Sequence, residues 1–477
     1  MKTIDVEQLI PEDHPARALW EFTGRLNLDR FYSPIRSVEG SAGQPTWDPR
    51  LMISLWLYAY SQGCGSARKV ARMCEHEPGF QWLCGMEPIN HHSLSDFRVE
   101  HDEALRELFT QVLGVLSAEG LITLERVMHD GTRIRAAASG NTFGREQTLR
   151  EHLRLAQEQV DAMGDPRQEP AKNARQGQAQ KRARRERIQR LESALRELET
   201  VRAEWKRVHK NEPRASAADP EARVMKRAGG GFEPAYNVQL STDARAGLIV
   251  GAAVTQSGAD APHLGAAVEQ LEKHFGKAPG QMVADAGYIS NENIVALAGK
   301  TELIGPLQTE NPARLEGQRK RWGITKDFAK QMFVWNAEQH CYQCPAGKTL
   351  SYYKCEERPG GVAKIYRAKP LDCSGCPNKK GGCPQTAQRR IYRFEENSEV
   401  TAFRERMSHS EMQAVYRQRA QIAEFPNAWI KEKLGLRQYH VRGLRKATLE
   451  TLWAVLTYNI QQWIRLRWRQ QVVAAAT

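Results

Sequence analysis

Residues 416–446 constrain the fold and the chemistry of this chain more than any other stretch. Glu424 and Lys431 are seven residues apart, so on a continuous helix they share one face. Pro426 is tolerated only in a first helical turn, and we therefore expect a helix to restart near Glu424. Cations follow Glu424 along the stretch, at Lys431, Lys433, Arg437, Arg442, Arg445 and Lys446. A carboxylate among many cations suits a site for a polyanion, but one carboxylate alone does not hold a catalytic metal ion.

Two aspartates upstream stand at the ends of apolar runs. Asp130 ends one such run and Asp285 another, and a glycine follows each of them within two residues. These positions predict strand ends that open into tight turns. Each aspartate alone is explained more simply as a turn residue, and Asp260 and His263 more simply as structural hydrogen-bonding residues. The order strand aspartate, strand aspartate, helix glutamate favours a site for two divalent cations, which would stabilise the attacking and leaving oxygens of a phosphodiester.

In these motifs the chain resembles the DDE transposases of bacterial insertion sequences that carry a Tyr-Arg-Glu-Lys signature. The matching residues are Tyr416, Arg419, Glu424 and Lys431 for the signature, with Asp130 and Asp285 in the two aspartate motifs. The interval between Arg419 and Glu424 is one residue longer than in the narrow form of the signature. The resemblance extends over most of the chain, including its N-terminal region.

The resemblance implies the roles of the site residues. Asp130, Asp285 and Glu424 would hold two Mg²⁺ ions and act in cleavage at the element ends, followed by transfer of the freed 3′ hydroxyl to a target strand. Arg419 and Lys431 would hold phosphates, and Tyr416 would position the DNA. The implied partners are double-stranded DNA, at element ends and target, and further copies of the chain in a dimer or larger assembly.

Composition agrees with a partner of this kind. The chain has 477 residues and a formal net charge of +13, with a pI near 9.3, which favours a polyanionic partner. Its apolar runs fall short of the roughly 18 residues of a membrane span, and its first residues do not have the apolar core of a signal peptide. We therefore expect a cytoplasmic protein without a membrane partner, associated with the bacterial nucleoid.

The order of the predicted elements indicates an α+β and α/β multidomain protein. A strand, a hairpin and then alternating helices and strands are typical of a ribonuclease-H-like core, in which the first strand lies beside the fourth. This catalytic domain would comprise residues 121–144, 230–310 and 396–446. The other predicted segments are an N-terminal helical domain at 1–120, an inserted charged helical hairpin and mobile linker at 145–229, a Cys-rich zinc-ribbon-like insert at 311–395, and a C-terminal amphipathic basic helix at 447–477.

The N-terminal segment contains two helix starts that fit a helix-turn-helix reader of DNA. Ser66 caps the first predicted helix, and Ser93 or Ser95 caps the second. An ordinary helical bundle explains the pattern equally well, but the transposase resemblance favours DNA binding. Candidate DNA contacts are His91, His92 and Arg98 in this segment, with Arg133 and Arg135 beside the first aspartate.

Six of the nine cysteines fall between Cys341 and Cys383. The two Cys-x-x-Cys pairs have zinc-ribbon spacing, which predicts structural zinc in a segment too small for a core of its own. The predicted ligands are Cys341, Cys344, Cys373 and Cys376, with Cys355 and Cys383 as further possible ligands. An iron–sulfur cluster through Cys373, Cys376 and Cys383 is the alternative.

Two other functions fit the same residues. A hydrolytic nuclease of this fold would cut DNA without joining strands. A DNA-binding protein derived from a transposase would have lost catalysis, although the presence of all three carboxylates argues against this alternative.

Overall fold

The computed structural model describes residues 5–35, 46–161, 174–205, 212–227, 229–307, 312–358, 361–379, 383 and 387–476. The chain divides into two compact units. The first unit contains residues 1–123, 130–258 and 421–477, and the second contains residues 124–129 and 259–420. Within the described ranges, no helix has the length and apolar character needed to span a membrane.

The N-terminal part of the first unit is helical, as predicted. Its helices are α1 (Pro15–Thr23), α2 (Asp29–Tyr32), α3 (Pro49–Ser61), α4 (Ala67–His76), α5 (Pro78–Leu83), α6 (His91–Glu100) and α7 (Asp102–Ala118). Asp48 caps α3 by accepting a hydrogen bond from Leu51 N at 3.1 Å. The apolar side chains of α3, among them Trp56 and Leu57, form part of the core of this unit.

Of the predicted serine caps, Ser66 is confirmed in position, whereas Ser93 and Ser95 were wrong. Ser66 does occupy the N-cap position of α4, but its side chain makes no capping hydrogen bond. Helix α6 begins at His91, where Asn90 Oδ1 accepts a hydrogen bond from His92 N at 2.8 Å. Ser93 and Ser95 therefore lie inside α6, because the capping residue, Asn90, precedes them.

The sheet of the first unit is built around a long strand. Its strands are β1 (Arg126–Arg135, of which residues from Asp130 onward belong to this unit), β4 (Arg223–Lys226), β5 (Phe232–Asp243) and β6 (Ile249–Thr255). Strand β5 pairs antiparallel with β4 and with β6, and β1 is its neighbour in the sheet. The predicted hairpin of β5 and β6 is confirmed. Two shorter strands, β2 (Phe143–Gly144) and β3 (Ala215–Ser216), pair with each other.

The glycine-rich segment before β5 is folded, and its interpretation as a mobile linker was wrong for the described residues. It contains β3 and β4, and between them Asp219 is fully buried. Tyr236 Oη donates to Asp219 Oδ1 at 2.8 Å, and Gly443 N donates to the same oxygen at 3.0 Å. These bonds anchor the segment, since a buried carboxylate is retained where it is hydrogen-bonded.

The predicted helical hairpin is present as α8 (Glu146–Asp161) and α9 (Ala174–Trp205). The two helices are antiparallel, since Arg202 near the end of α9 forms an ion pair of 2.5 Å with Glu146 at the start of α8. They share an apolar cluster that includes Leu149, Leu191 and Leu198. Val208, which the sequence assigned to the same apolar face, lies outside the described residues.

The second unit begins with the first residues of β1. Its next elements are α10 (Leu264–Phe275), β7 (Gln281–Val283), α11 (Asn291–Leu297) and β8 (Glu302–Ile304). Strand β1 pairs in parallel with β7, with Val127 opposite Met282 and Met128 opposite Val283, and β7 pairs in parallel with β8. The predicted pairing of the two strands that precede Asp130 and Asp285 is thus confirmed.

The Cys-rich segment forms an antiparallel sheet with a core of its own. Helix α12 (Pro312–Arg321) precedes the sheet, whose strands follow the order β13-β12-β11-β10-β9. The strands are β9 (Val334–Asn336), β10 (Cys341–Gln343), β11 (Thr349–Arg358), β12 (Gly361–Arg367) and β13 (Arg390–Glu396), with α13 (Pro370–Ser374) before β13. Phe333, Leu350, Tyr366 and Ile391 form its buried cluster. The expectation that this segment is too small for a core was wrong, because aromatic side chains fill one.

Helices make up the rest of the chain. The second unit ends with α14 (Ser398–Ser408), α15 (Ser410–Arg417) and the start of α16 (Arg419–Glu432). The predicted helix restart near Glu424 was wrong, because α16 begins at Arg419 and runs through Pro426. Helix α17 (Leu444–Trp463), a π-helical turn (Ile464–Trp468) and α18 (Arg469–Ala476) follow in the first unit.

Helix α17 is a core helix and not the predicted amphipathic cover. Fifteen of its 20 residues are buried. It packs against α3, α6, α7 and β6, so its sides all face other parts of the first unit. Burial on several sides explains why its apolar residues do not form a single stripe.

Candidate functional site

The prediction that Asp130 lies at a strand end was wrong. Asp130 lies in the middle of β1. The strand continues to Arg135, so Gly131 does not open a turn. Asn427 of α16 donates from Nδ2 to Asp130 Oδ2 at 3.0 Å, and this asparagine is only 7% exposed. The hydrogen bond holds the Asp130 carboxylate against a buried position of the helix.

Helix α16 presents three polar side chains at helical spacing. Glu424, Asn427 and Lys431 are three and four residues apart and therefore share one face. Burial lowers the pKa of Lys431, while the nearby Asp130 carboxylate opposes that change. Glu424 is exposed and forms no hydrogen bond or ion pair with another described residue. The helix thus brings an amide and an ammonium group to Asp130, with a carboxylate one turn earlier.

Asp285 follows β7 and opens a tight turn, as predicted. Gly287 N donates to Asp285 Oδ1 at 2.7 Å, and Tyr288 N donates to the Asp285 carbonyl oxygen at 3.1 Å. A Cβ atom at position 287 would stand 2.9 Å from Asp285 Oδ1 and 3.6 Å from Asp260 Oδ2. Only glycine fits at 287 without displacing a carboxylate, and Asp260 lies close to Asp285 in the second unit.

The strands before the two aspartates are neighbours within the second unit. Met128 is opposite Val283 in the parallel register of β1 and β7. Asp130 comes two residues after Met128, and Asp285 two residues after Val283.

Metal-binding geometry is not preformed. In the part of the chain that the structure describes, no three His, Cys, Asp or Glu side chains stand close enough together to hold a metal ion. The predicted zinc set of Cys341, Cys344, Cys373 and Cys376 is therefore not assembled. Carboxylate oxygens are nevertheless the donors that Mg²⁺ prefers, so the chemistry of Asp130, Asp285 and Glu424 fits that ion.

The prediction that Arg98 contacts DNA was wrong. Arg98 is 5% exposed, and Nη1 donates to the Gly65 carbonyl oxygen. The same nitrogen lies 3.6 Å from Glu450 Oε1, and Glu450 is fully buried in α17. The guanidinium also lies over the ring of Trp56. Arg98 therefore connects α6 to the core of the first unit.

His91 of α6 lines a surface groove, and His92 lies beside it. The rings of His91 and His92 are 4.1 Å apart. His91, Arg68 and Arg72 contribute to the lining of one surface groove, which is open to solvent. Local desolvation lowers the pKa of His91, and the nearby His92 and Arg68 lower it further.

The other predicted DNA contacts, Arg133, Arg135, Tyr416 and Arg419, lie in different parts of the fold. Arg133 donates to the carbonyl oxygens of Lys226 and Gly258, and Arg135 lies 3.4 Å from Glu233. Strand alternation places Arg133 and Arg135 on the face of β1 opposite to Asp130. Tyr416 and Arg419, at the end of α15 and the start of α16, belong to the second unit.

The predicted zinc ligands differ in their surroundings. Cys341 is buried in β10, with its Sγ 3.8 Å from Gln339 Oε1. Cys344 and Cys373 instead pack against the aromatic cluster of the Cys-rich sheet, and a backbone N–H donates to each Sγ, at 3.3 and 3.4 Å. Cys355 is exposed on β11.

Cys383 lies near three other thiols. Burial raises the pKa of the Cys383 thiol, Arg389 opposes the rise, and the thiols of Cys373, Cys376 and Cys344 add to it. Cys383 was predicted only as a further possible ligand, but its thiol lies near those of Cys344, Cys373 and Cys376.

Comparisons with known proteins identify the class of the chain. Residues 343–464 match a family described as the transposase DDE domain, and residues 4–100 match a family described as transposase domain DUF772. No curated protein matches the chain. A solved piggyBac transposase synaptic complex with hairpin DNA is similar at a TM-score of 0.31 and 8% identity, over 95% of this chain and 74% of that chain, which is too low to support an argument.

Two transposase families thus match separate parts of one chain, and the protein is a transposase. The match over residues 343–464, which contain Glu424, is to a DDE domain, and such a domain implies an enzyme that cleaves and transfers phosphodiester bonds. A DDE domain also implies the use of a divalent cation.

Asn427 is the residue of this site that the sequence did not reveal. Its partner Asp130 is 297 residues away along the chain. The only signal in the sequence was a small amide at helical spacing between Glu424 and Lys431.

Proposed function

We propose that this transposase cuts DNA at the ends of a bacterial insertion sequence and joins the freed ends to a target, with Asp130, Asp285 and Glu424 as its catalytic carboxylates. The observation that carries the proposal is the contact of Asn427 with Asp130. It brings the helix of Glu424 against the strand of Asp130 within the first unit. This arrangement is what a shared site for the two carboxylates requires.

We include Asp285 because of the order of the motifs, in which two strand aspartates precede a helix glutamate. Strand β7, which Asp285 follows, pairs in parallel with the first residues of β1 in the second unit. A ribonuclease-H-like core, which we also propose, has a pairing of this kind.

In this mechanism the protein binds and orients the scissile phosphodiester. Two Mg²⁺ ions, when bound by Asp130, Asp285 and Glu424, would supply an activated hydroxyl and stabilise charge on the leaving oxygen. Lys431 and Arg419 hold phosphate oxygens, and Tyr416 positions the strand by stacking or through its hydroxyl.

We propose that DNA also contacts the groove of α4 and α6. Arg68, Arg72 and His91 line it, and His92 stacks beside His91. The net charge of +13 adds a general attraction for DNA. Element ends must be paired before they are joined, so we infer a dimer or larger assembly on DNA, in the cytoplasm and at the nucleoid.

A zinc ion in the Cys-rich sheet is a further proposal, with a changed ligand set. We propose Cys344, Cys373, Cys376 and Cys383 as ligands, with Cys341 left out. The proximity of Cys383 to the other three thiols and the N–H donors to Cys344 and Cys373 support this set. The thiols have to move closer together on binding, since the described residues hold no preformed metal group.

Metal analysis of the purified protein tests the zinc proposal. Cys383→Ser should remove bound zinc, whereas Cys341→Ser should retain it. Equal zinc contents in the two variants would contradict the ligand set, and iron in place of zinc would favour the cluster through Cys373, Cys376 and Cys383.

The experiment that tests the main proposal follows a labelled duplex containing the DNA that flanks the gene. With Mg²⁺, the protein should cut at the element ends and then join the 3′ ends to a second, unlabelled plasmid. Cutting without joined product would indicate the hydrolytic nuclease. Specific binding without cutting, at any concentration of Mg²⁺ or Mn²⁺, would indicate a DNA-binding protein.

A further inference from the structure

The Asn427 side chain combines deep burial with an unused polar atom. It is 7% exposed, and Nδ2 donates to Asp130 Oδ2 at 3.0 Å. Its other amide atom, Oδ1, is also buried, and it accepts no hydrogen bond from any described residue. Both atoms belong to one amide group, so the unused acceptor lies beside the Asp130 carboxylate.

Packing alone does not explain an asparagine at this position. Its neighbours on the buried face of α16 are Ala423, Pro426 and Ile430, which are apolar. Asparagine is a poor residue for a helix interior, and a buried acceptor without a donor is costly. A leucine of similar size would satisfy this environment better. Local costs of this kind are typical of residues that have a function.

The charges around Asp130 suggest what the free acceptor binds. Lys431 lies near the same carboxylate, and burial of this lysine disfavours its charged form. An amide oxygen cannot pair with a carboxylate, but it accepts hydrogen bonds from water, and water fills the coordination positions that protein ligands leave on Mg²⁺. A hydrated divalent cation on Asp130 would present such water to Oδ1.

We propose that Asn427 is a positioning residue for the metal site: Nδ2 fixes the orientation of the Asp130 carboxylate, and Oδ1 accepts a hydrogen bond from water of the bound cation. The proposal rests on the function proposed above, because it takes Asp130 as a metal ligand. Asn427 does not itself contact the reacting phosphate.

Binding of Mn²⁺ to the full-length protein without DNA tests this role separately from activity. Free Mn²⁺ is measured by electron paramagnetic resonance during titration of the wild type, Asn427→Leu, Asp130→Asn and Gln421→Leu. Gln421 is an exposed residue of α16 and serves as the matched control. We expect Asn427→Leu to weaken binding roughly 10- to 100-fold, as the loss of a residue that orients a metal ligand does. Asp130→Asn should weaken it at least as much, and Gln421→Leu should bind like the wild type.

The outcomes distinguish this inference from the function on which it rests. Wild-type binding by Asn427→Leu, together with weak binding by Asp130→Asn, would overturn the positioning role and leave the proposed site intact. Wild-type binding by Asp130→Asn would overturn both. Equal weakening in Gln421→Leu would show a general effect on α16 and also overturn the role.

A second variant provides a test that does not depend on a leucine fitting the site. Asn427→Asp keeps the size of the side chain but puts a second carboxyl group beside Asp130. The substitution removes the Nδ2 donor to Asp130 and adds a carboxylate, so the dissociation constant for Mn²⁺ at a fixed pH should differ from that of the wild type. A wild-type dissociation constant would contradict the contact between residue 427 and the metal site.

Discussion

Lys431 shows how much the surroundings of one side chain matter in this protein. The sequence predicted it as a phosphate ligand on the same helix face as Glu424. In the structure it lies near Asp130 and also near Glu233, Glu432 and Arg437. Burial is the largest influence on this lysine, and it disfavours the charged form that a phosphate ligand requires.

The pH dependence of the free energy of unfolding should reveal the cost of burying the charged Lys431 side chain. Burial lowers the pKa of Lys431 in the folded state, so the unfolded chain binds more protons between that pKa and the ordinary lysine pKa. The penalty is fully present below the folded pKa and disappears as the pH rises toward about 10.5. Lys431→Met should therefore unfold at a higher temperature than the wild type at pH 7, and the difference should shrink by pH 10.

Thermal unfolding followed by circular dichroism measures the effect of Lys431→Met. Lys433→Met, at an exposed position just beyond α16, is the control and should show little change at either pH. A difference for Lys431→Met that grows with pH would contradict the effect of burial.

Arg98 allows a direct choice between a structural and a DNA-binding role. Removal of one member of a buried ion pair typically costs about 3 kcal/mol or more, because the other charge is left without its partner. Arg98→Met should therefore reduce the free energy of unfolding by about 3 kcal/mol in urea titrations. Arg68→Met, in the solvent-exposed groove, should leave stability almost unchanged and weaken DNA binding. The opposite pattern would restore Arg98 as a DNA contact.

The structural roles of residues were predictable from the sequence where a local motif determines them. Asp285 lies in the turn that its motif indicated, with Gly287 as the residue that the turn requires. Asn427 and Arg98 were not predictable in their roles, because their partners Asp130 and Glu450 are distant in the chain. A pattern of neighbouring residues contains no information about such contacts.

At the scale of elements, α16 shows tertiary contacts overriding a local rule. A proline in a helix interior typically costs about 3 kcal/mol, and for this reason the sequence predicted a helix start near Glu424. The helix nevertheless continues through Pro426, whose ring is buried together with Ala423 and Ile430. Burial of this apolar face offsets the lost backbone hydrogen bond.

The sequence predicted that α17 is a helix, but it did not predict that the helix is buried on several sides. Its apolar residues suggested one buried side, whereas Asn459 and other polar residues are buried as well. Asn459 Oδ1 accepts from Ile249 N at 2.9 Å, and Nδ2 donates to Ile249 O at 2.8 Å. The asparagine thus satisfies both backbone groups of Ile249, the first residue of β6, which no sequence pattern of the helix indicates.

Replacement of this asparagine should have a large effect on stability. Asn459→Leu leaves two buried backbone groups without partners, at about 1–3 kcal/mol each, so we expect a loss of roughly 2–6 kcal/mol in the free energy of unfolding. Urea titration measures this loss. Gln461→Leu, which removes only a bond to Trp429 Nε1, is the control. A loss below that of the control would contradict the role of Asn459.

At the scale of the whole molecule, the sequence predicted the order of the segments along the chain better than the tertiary structure of each segment. Transposase matches lie at residues 4–100 and 343–464, and they include the segments that the sequence assigned to DNA binding and to the catalytic glutamate. The glycine-rich segment and the Cys-rich segment were misjudged. In both, buried contacts between residues that lie apart in sequence form the structure, through Asp219 in one and the aromatic cluster in the other.

The central claim is that Glu424 acts with Asp130 and Asp285 in one metal-dependent site. Glu424 is exposed, so its replacement should leave the fold and the binding of DNA unchanged. Glu432, an exposed residue at the end of the same helix, provides the matched control.

The most direct measurement compares cleavage of a labelled element-end duplex by the wild type, Glu424→Gln and Glu432→Gln in Mg²⁺, with binding followed in parallel by gel shift. We predict that Glu424→Gln binds the duplex like the wild type but cuts it at least roughly 100-fold more slowly. Glu432→Gln should cut it at the wild-type rate. Equal cleavage by the wild type and Glu424→Gln would remove Glu424 from the site and contradict the account.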